Sequence, residues 1–211
     1  MPYEYRAMTP EERRAVVAMR RLRGWPLHAP PHPMRGAGQY LITAANYEHR
    51  TIMAAPERRT NFEATLLDKL TEIHAEVFGW VVLANHYHIL IGVSSLDAVS
   101  AALKKLHGTT SREWNVADDL TGRRQVWYHF SDRKIRNTQH FYRALNYIHF
   151  NPVKHGYVSS VYDWPWSSVQ NYLDIQGRDW LREQWRQYEP DQMGEGWDDF
   201  ELLSSPSSSP S

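Results

Sequence analysis

The chain has 211 residues, 42% hydrophobic and 23% charged, enough apolar material for one packed domain with extensions. No apolar run approaches a membrane span, the N-terminus has no apolar core that could act as a secretory signal, and the lack of cysteine excludes disulfides, thiolate catalysis, Fe–S clusters and Cys-type zinc sites. Twenty-four Lys/Arg offset 24 Asp/Glu, yet residues 101–160 hold ten cations against four anions, and residues 179–203 hold two against eight. The expectation is a soluble, cytoplasmic protein with a basic functional face and an acidic end.

Thr9 is placed to cap a short basic helix, with Pro10 at its first position and acids in its first turn. The Pro/Gly-rich stretch that follows, to about residue 37, predicts an arm without regular structure. Gln39–Ala45 has the makings of a buried strand. Phe62, Leu66, Leu67, Leu70, Ile73 and Val77 recur at helical spacing, predicting a helix over 57–77. Trp80–Leu83 and His86–Val93 read as two strands joined by a tight hairpin near Asn85. Leu96–Trp114 predicts a second helix, with Lys104, Lys105 and Arg112 on its polar side. After a polar loop over 115–124, Gln125–Arg136 holds a further strand. Thr138 then caps a third helix that Asn151-Pro152 is expected to end near Phe150.

The resulting order, β-α-β-β-α-β-α, predicts an α+β fold: an antiparallel sheet of ferredoxin-like kind with helices on one face. The predicted organisation is an N-terminal arm over 1–37, a functional domain over 38–173, and an acidic C-terminal extension over 174–211 with a disordered tail. Within that extension, W-L-R-E-Q-W-R-Q-Y carries Trp and Leu at helical spacing, a face able to dock on the core.

Two constellations carry chemistry. In His86-Tyr87-His88, strand alternation puts both imidazoles on one face and Tyr87 on the other. Two adjacent imidazoles make half of a divalent-metal site, or a pair of structural histidines. In Asn146–Val158, Tyr147 and Asn151 are four apart and share a helix face. Asn151 could add a hard oxygen ligand and Tyr147 a phenolic nucleophile one turn away. The plainer alternative makes Tyr147 a core-edge aromatic and Asn151 a C-cap before Pro152.

Four blocks together resemble the single-tyrosine HUH transposases, and most closely the REP-associated tyrosine transposases. They are G-Q-Y-L-I-T-A-A, then W-V-V-L-A-N-H-Y-H-I-L-I, then R-K-I-R-N-T-Q-H-F-Y-R-A-L-N-Y-I-H-F-N-P-V-K-H-G-Y-V, and D-W-P-W-S-S-V from Asp163. The resemblance spans roughly residues 36–173 and implies an HUH endonuclease fold. It implies cleavage of single-stranded DNA beside a palindromic hairpin, through a 5′-phosphotyrosine link and a free 3′-OH, with no nucleotide cofactor. Carried over, His86 and His88 are metal ligands, Asn151 the third, and Tyr147 the nucleophile. Mg²⁺ or Mn²⁺ is the implied metal, and imidazole ligands suit Mn²⁺ better. Tyr87 stands where the family more often has an aliphatic residue, and it faces away from the pair.

Phosphate binding needs cations, and Lys104, Lys105, Arg112, Arg123, Arg124, Arg133, Lys134, Arg136, Lys154 and His155 are the candidates. Arg133-Lys134-Ile135-Arg136, just before the tyrosine helix, is the first choice for gripping a strand. Trp127, Tyr128, Trp164 and Trp166 are candidates for stacking on unpaired bases. The tail block from Asp163 has a second reading, in which it packs across the tyrosine helix and holds it. The resemblance favours a monomer over a dimer. The alternative to a nuclease is a hairpin-binding protein that has lost cleavage.

Overall fold

Residues of strand β1 (Gly38–Ala45) alternate between two destinations, because successive strand side chains point to opposite faces. Tyr40, Ile42 and Ala44 enter one apolar cluster, while Leu41 and Thr43 face the other way. In the computed structural model, which describes residues 36–190 together with Thr9, Glu11, Arg14, Ala15 and Ala18, β1 lies inside a four-stranded antiparallel sheet. Its neighbours are β3 (His86–Val93) on one side and β4 (Ser131–Lys134) on the other, with β2 (Glu76–Val82) outside β3. The order β2-β3-β1-β4 is the ferredoxin-like arrangement that the element order predicts. Residues 36–190 lie within one compact unit.

Helix α1 (Pro56–Glu72) and helix α2 (Leu96–Ala117) cover one face of this sheet. Phe62, Leu66 and Leu70 from α1 meet Leu96, Val99, Leu103 and Leu106 from α2 over Tyr87, Ile89 and Ile91 of β3. Helix α3 (Thr138–Lys154) packs on the opposite face. Gly79 of β2 makes that approach possible: a Cβ there would stand 2.7 Å from Leu145 Cδ1. The sheet is therefore covered on both faces, which corrects the expectation of helices on one. The even residues of β3, from His86 to Leu90, are as buried as the odd ones, and an apolar sheet face must be covered.

Several boundaries move for local reasons. The first predicted helix stops at Glu72, and Val77 belongs to β2. His74 adopts φ 54°, with Ala75 N–H donating to Leu70 O and His74 N–H to Thr71 O, a left-handed helix end. Strand β4 is shorter than predicted, and Trp127 contributes only an isolated bridge to Asn46. Helix α3 does not end at Asn151-Pro152. Pro152 sits inside its last turn and the helix continues to Lys154. A proline there forfeits one N–H bond, a loss the buried packing around Ile148 and Asn151 outweighs. Its N-cap is Asn137, whose side chain accepts from His140 N–H, in place of Thr138.

Past α3 the chain returns to the exposed edge of β2. Val82 N–H donates to Trp166 O, Ser168 N–H to Trp80 O, and Trp164 Nε1–H to Val82 O. This short stretch closes an otherwise open sheet edge. Val169 of helix α4 (Val169–Gln176) and Leu181, Trp180 and Trp185 of helix α5 (Arg178–Gln187) then join Phe150 and Val153 of α3 in a second apolar cluster. The docking face read in W-L-R-E-Q-W-R-Q-Y is thus used. The predicted basic helix from Thr9 and the Pro/Gly-rich arm lie outside the described residues, apart from the helical Glu11, Arg14, Ala15 and Ala18. The acidic stretch beyond Pro190 lies outside them too. No helix among the described residues is long and apolar enough to cross a membrane.

Candidate active site

The β2–β3 hairpin and α3 place four side chains at one point. His86 and His88 share a face of β3, their ring centroids 5.0 Å apart. Across from them, the helical spacing of α3 stacks Tyr147 and Asn151. Tyr147 Oη lies 3.3 Å from His88 Nε2, and Asn151 Oδ1 lies 3.1 Å from His86 Nε2. All four residues are buried; Asn151 is 0% exposed and Tyr147 4%. His155, just past the end of α3, closes the group with its ring 5.0 Å from that of His86. Lys154 Nζ stands 5.6 Å from the Tyr147 ring centroid.

The far nitrogen of each histidine is held by a partner. Asn85 donates its amide to His49 O, which turns its Oδ1 toward His86 Nδ1 at 2.6 Å. His86 Nδ1 is thus engaged by Asn85, and its Nε2 faces Asn151 Oδ1. His88 Nδ1 is 2.7 Å from Thr43 Oγ1, opposite it in the β1–β3 register. Burial holds the His88 pKa down at about 3, with the charges of His155 and Lys154 adding to the effect. Neutral imidazole is the form that binds a metal.

The donor set fits a divalent cation on its own chemistry. His86 Nε2 and Asn151 Oδ1, an imidazole nitrogen and an amide oxygen 3.1 Å apart, are both atom types that can ligate a divalent cation. Among the described residues, no three His, Asp or Glu side chains group to hold a metal. Tyr87 faces the other side of the sheet, where its hydroxyl meets His107 Nε2 at 3.0 Å. Burial raises its pKa well above the ordinary phenol value.

The basic residues divide by place. Arg133 pairs with Leu41 in the β1–β4 register and so shares the face of Thr43 and His88. Lys134 takes the opposite face, with Nζ 5.9 Å from the Tyr40 ring centroid. Arg136 lies in the turn leading into α3, and Lys154 and His155 lie at its end. Lys104, Lys105 and Arg112 are exposed on α2, across the sheet from the tyrosine. Arg123 bonds Asp119 O in the loop after α2. Arg124 is tied into the fold through Asp118, Asn115 and Trp114 O.

The aromatic candidates differ in burial, Trp127 and Trp164 being buried and Tyr128 and Trp166 half-buried. Trp127 lies between His107 and Phe62 and donates to Thr110. Tyr128 is half-buried beside Tyr47. Trp164 is 6% exposed, and Trp166 rests 3.9 Å under the buried Arg59 guanidinium. The tail also touches the tyrosine helix: Ser168 Oγ accepts from Trp80 N–H and lies 3.2 Å from His149 Nε2. Two residues that hold the histidines escape the sequence analysis. Asn85 is legible as the residue before His86. Thr43 had no signal, because only strand pairing brings it to His88.

No family model matches the chain. Over 97 residues it is 33% identical to a REP-associated tyrosine transposase of Escherichia coli (strain K12), covering 44% of this chain and 53% of that protein. A Haemophilus influenzae protein provisionally given the same name is 32% identical over 110 residues, covering 47% of this chain and 62% of that protein. The chain thus spans between half and two thirds of the length of these relatives. A solved REP-associated tyrosine transposase bound to a REP hairpin superposes with a TM-score of 0.57 at 23% identity, covering 72% of this chain and 87% of that one. The chain is similar to REP-associated tyrosine transposases in sequence, and it shares their α+β fold.

Proposed function

We propose that this protein is a metal-dependent single-stranded DNA endonuclease and strand transferase acting at REP-type hairpins. The convergence of His86, His88, Asn151 and Tyr147 between β3 and α3 carries this reading. The relatives' names, and the hairpin bound by the solved one, support the substrate.

His86 Nε2, His88 Nε2 and the Asn151 amide oxygen are the atoms that would hold Mg²⁺ or Mn²⁺, whose chemistry here is polarisation of the scissile phosphate. Tyr147 Oη attacks the phosphorus and forms a phosphotyrosine ester. The bond from phosphorus to the 3′ oxygen breaks, and that oxygen leaves with a proton as a 3′-OH. The phenol gives up its own proton to water, His88 Nε2 being committed to the metal, and water returns one to the departing 3′ oxygen, so protons balance. Attack by the same or another 3′-OH on the phosphotyrosine reverses the exchange and releases Tyr147. One ester replaces another at each step, so no nucleotide is consumed. With Tyr147 4% exposed, an arriving phosphate has to displace the groups that cover it.

The test mixes the protein with labelled hairpin oligonucleotides and Mn²⁺ or Mg²⁺ on a denaturing gel, with Tyr147→Phe alongside. A metal-dependent, denaturant-resistant adduct that is lost in Tyr147→Phe is the expected result. Hairpin binding with neither adduct nor cut product would assign the chain to hairpin recognition alone.

A further inference from the structure

The N-terminal half of α3 carries cations that the catalytic constellation does not use. Arg143 lies four residues before Tyr147, hence one turn away on the same side of the helix. Lys154 flanks the tyrosine from the other end. Beside Arg143 stand Arg136, in the turn entering α3, and Arg133, on the sheet face shared with His88. His140 sits among the three. Burial first, and then the charges of Arg133, Arg136 and Arg143, lower its pKa. Arg136 and Arg143 are exposed, and among the described residues no carboxylate forms an ion pair with either. Like charges gathered this closely repel, and an external polyanion relieves the repulsion. Guanidinium groups suit phosphate oxygens, which they can bind through two parallel N–H bonds.

We propose that Arg143, with Arg133 and Arg136 beside it, binds phosphates of the single strand flanking the hairpin. That strand then runs along the N-terminal half of α3 and brings the scissile phosphate to Tyr147. The inference rests on the proposed nuclease reading and adds a path to it. Lys104, Lys105 and Arg112, across the sheet, have no part in this path.

The test is equilibrium binding over a series of salt concentrations, with wild type, Arg143→Ala and Arg143→Lys. Two labelled oligonucleotides are compared: a hairpin with a single-stranded flank, and the same hairpin without it. Arg143→Ala should weaken the flanked oligonucleotide about tenfold and flatten its log–log salt slope by about 0.7 for the one lost phosphate contact. Arg143→Lys should keep the slope, and the bare hairpin should bind unchanged throughout. Unaltered affinity and slope in Arg143→Ala, while wild type binds and forms its adduct, would overturn this inference alone. Equal losses on both oligonucleotides would overturn it by moving Arg143 to the hairpin stem. A wild type that binds neither would take down the nuclease reading and this inference together.

Discussion

Thr43 Oγ1 lies 2.7 Å from His88 Nδ1, across the pairing of β1 with β3. The hydroxyl fixes the ring's orientation and leaves Nε2 directed toward Tyr147. Partners of this kind typically change metal affinity when removed. Thr43→Val keeps the shape and deletes the bond. It should weaken Mn²⁺ binding by about 10- to 100-fold while the fold persists. Calorimetric titration with Mn²⁺ reads the affinity, and circular dichroism the fold. An unchanged affinity would remove Thr43 from the site.

Ser168 bridges the sheet and the tyrosine helix through Trp80 N–H and His149 Nε2. Ser168→Ala strands both groups in a largely buried place, at about 1–3 kcal/mol for each. Urea unfolding should show a loss of roughly 2–6 kcal/mol with little change in m-value. A loss well under 1 kcal/mol would mean that the tail does not secure α3.

Burial holds His88, His107 and His149 neutral, each with a pKa of about 3. In the unfolded chain they titrate near the ordinary value of about 6.5. Between those limits the unfolded state binds more protons, so stability is present above pH 6.5 and is lost as pH falls. Three such groups remove roughly 3–4 kcal/mol between pH 7 and pH 5.5 in metal-free protein. Denaturant unfolding at the two pH values measures this, and equal stabilities would contradict the buried neutral imidazoles.

Trp164 was a candidate for base stacking, yet it is enclosed and donates to Val82 O. Trp164→Ala should therefore cost about 3–5 kcal/mol of stability, as large aromatic truncations in cores do. A thermal melt decides between the two roles. An unshifted melt with weakened single-strand binding would restore stacking.

Much of the fold was legible because its signals are local. Alternation along His86-Tyr87-His88 put the two imidazoles together and sent Tyr87 to the other face, where it meets His107. Helical spacing put Tyr147 and Asn151 on one side of α3, and the order of elements predicted the sheet. Proline chemistry misled at Pro152, since burial of the last turn outweighs one missing N–H bond. Charge counting along the chain does not place the cations in space. Lys104, Lys105 and Arg133 belong to one basic stretch of sequence, yet α2 and β4 carry them to opposite sides of the sheet.

Taken alone, the sequence determined which four side chains are the candidates and the faces their elements present. Periods of two and of 3.6 residues act over a few neighbours and need no fold to be read. Only the tertiary structure decided which faces meet. The contacts of Thr43 with His88, Tyr147 with His88 and Asn151 with His86 span 45, 59 and 65 residues of chain. Strand register sets the first of these contacts. The other two depend on how closely α3 packs on the sheet, and at Gly79 that closeness rests on the absence of a single methyl group.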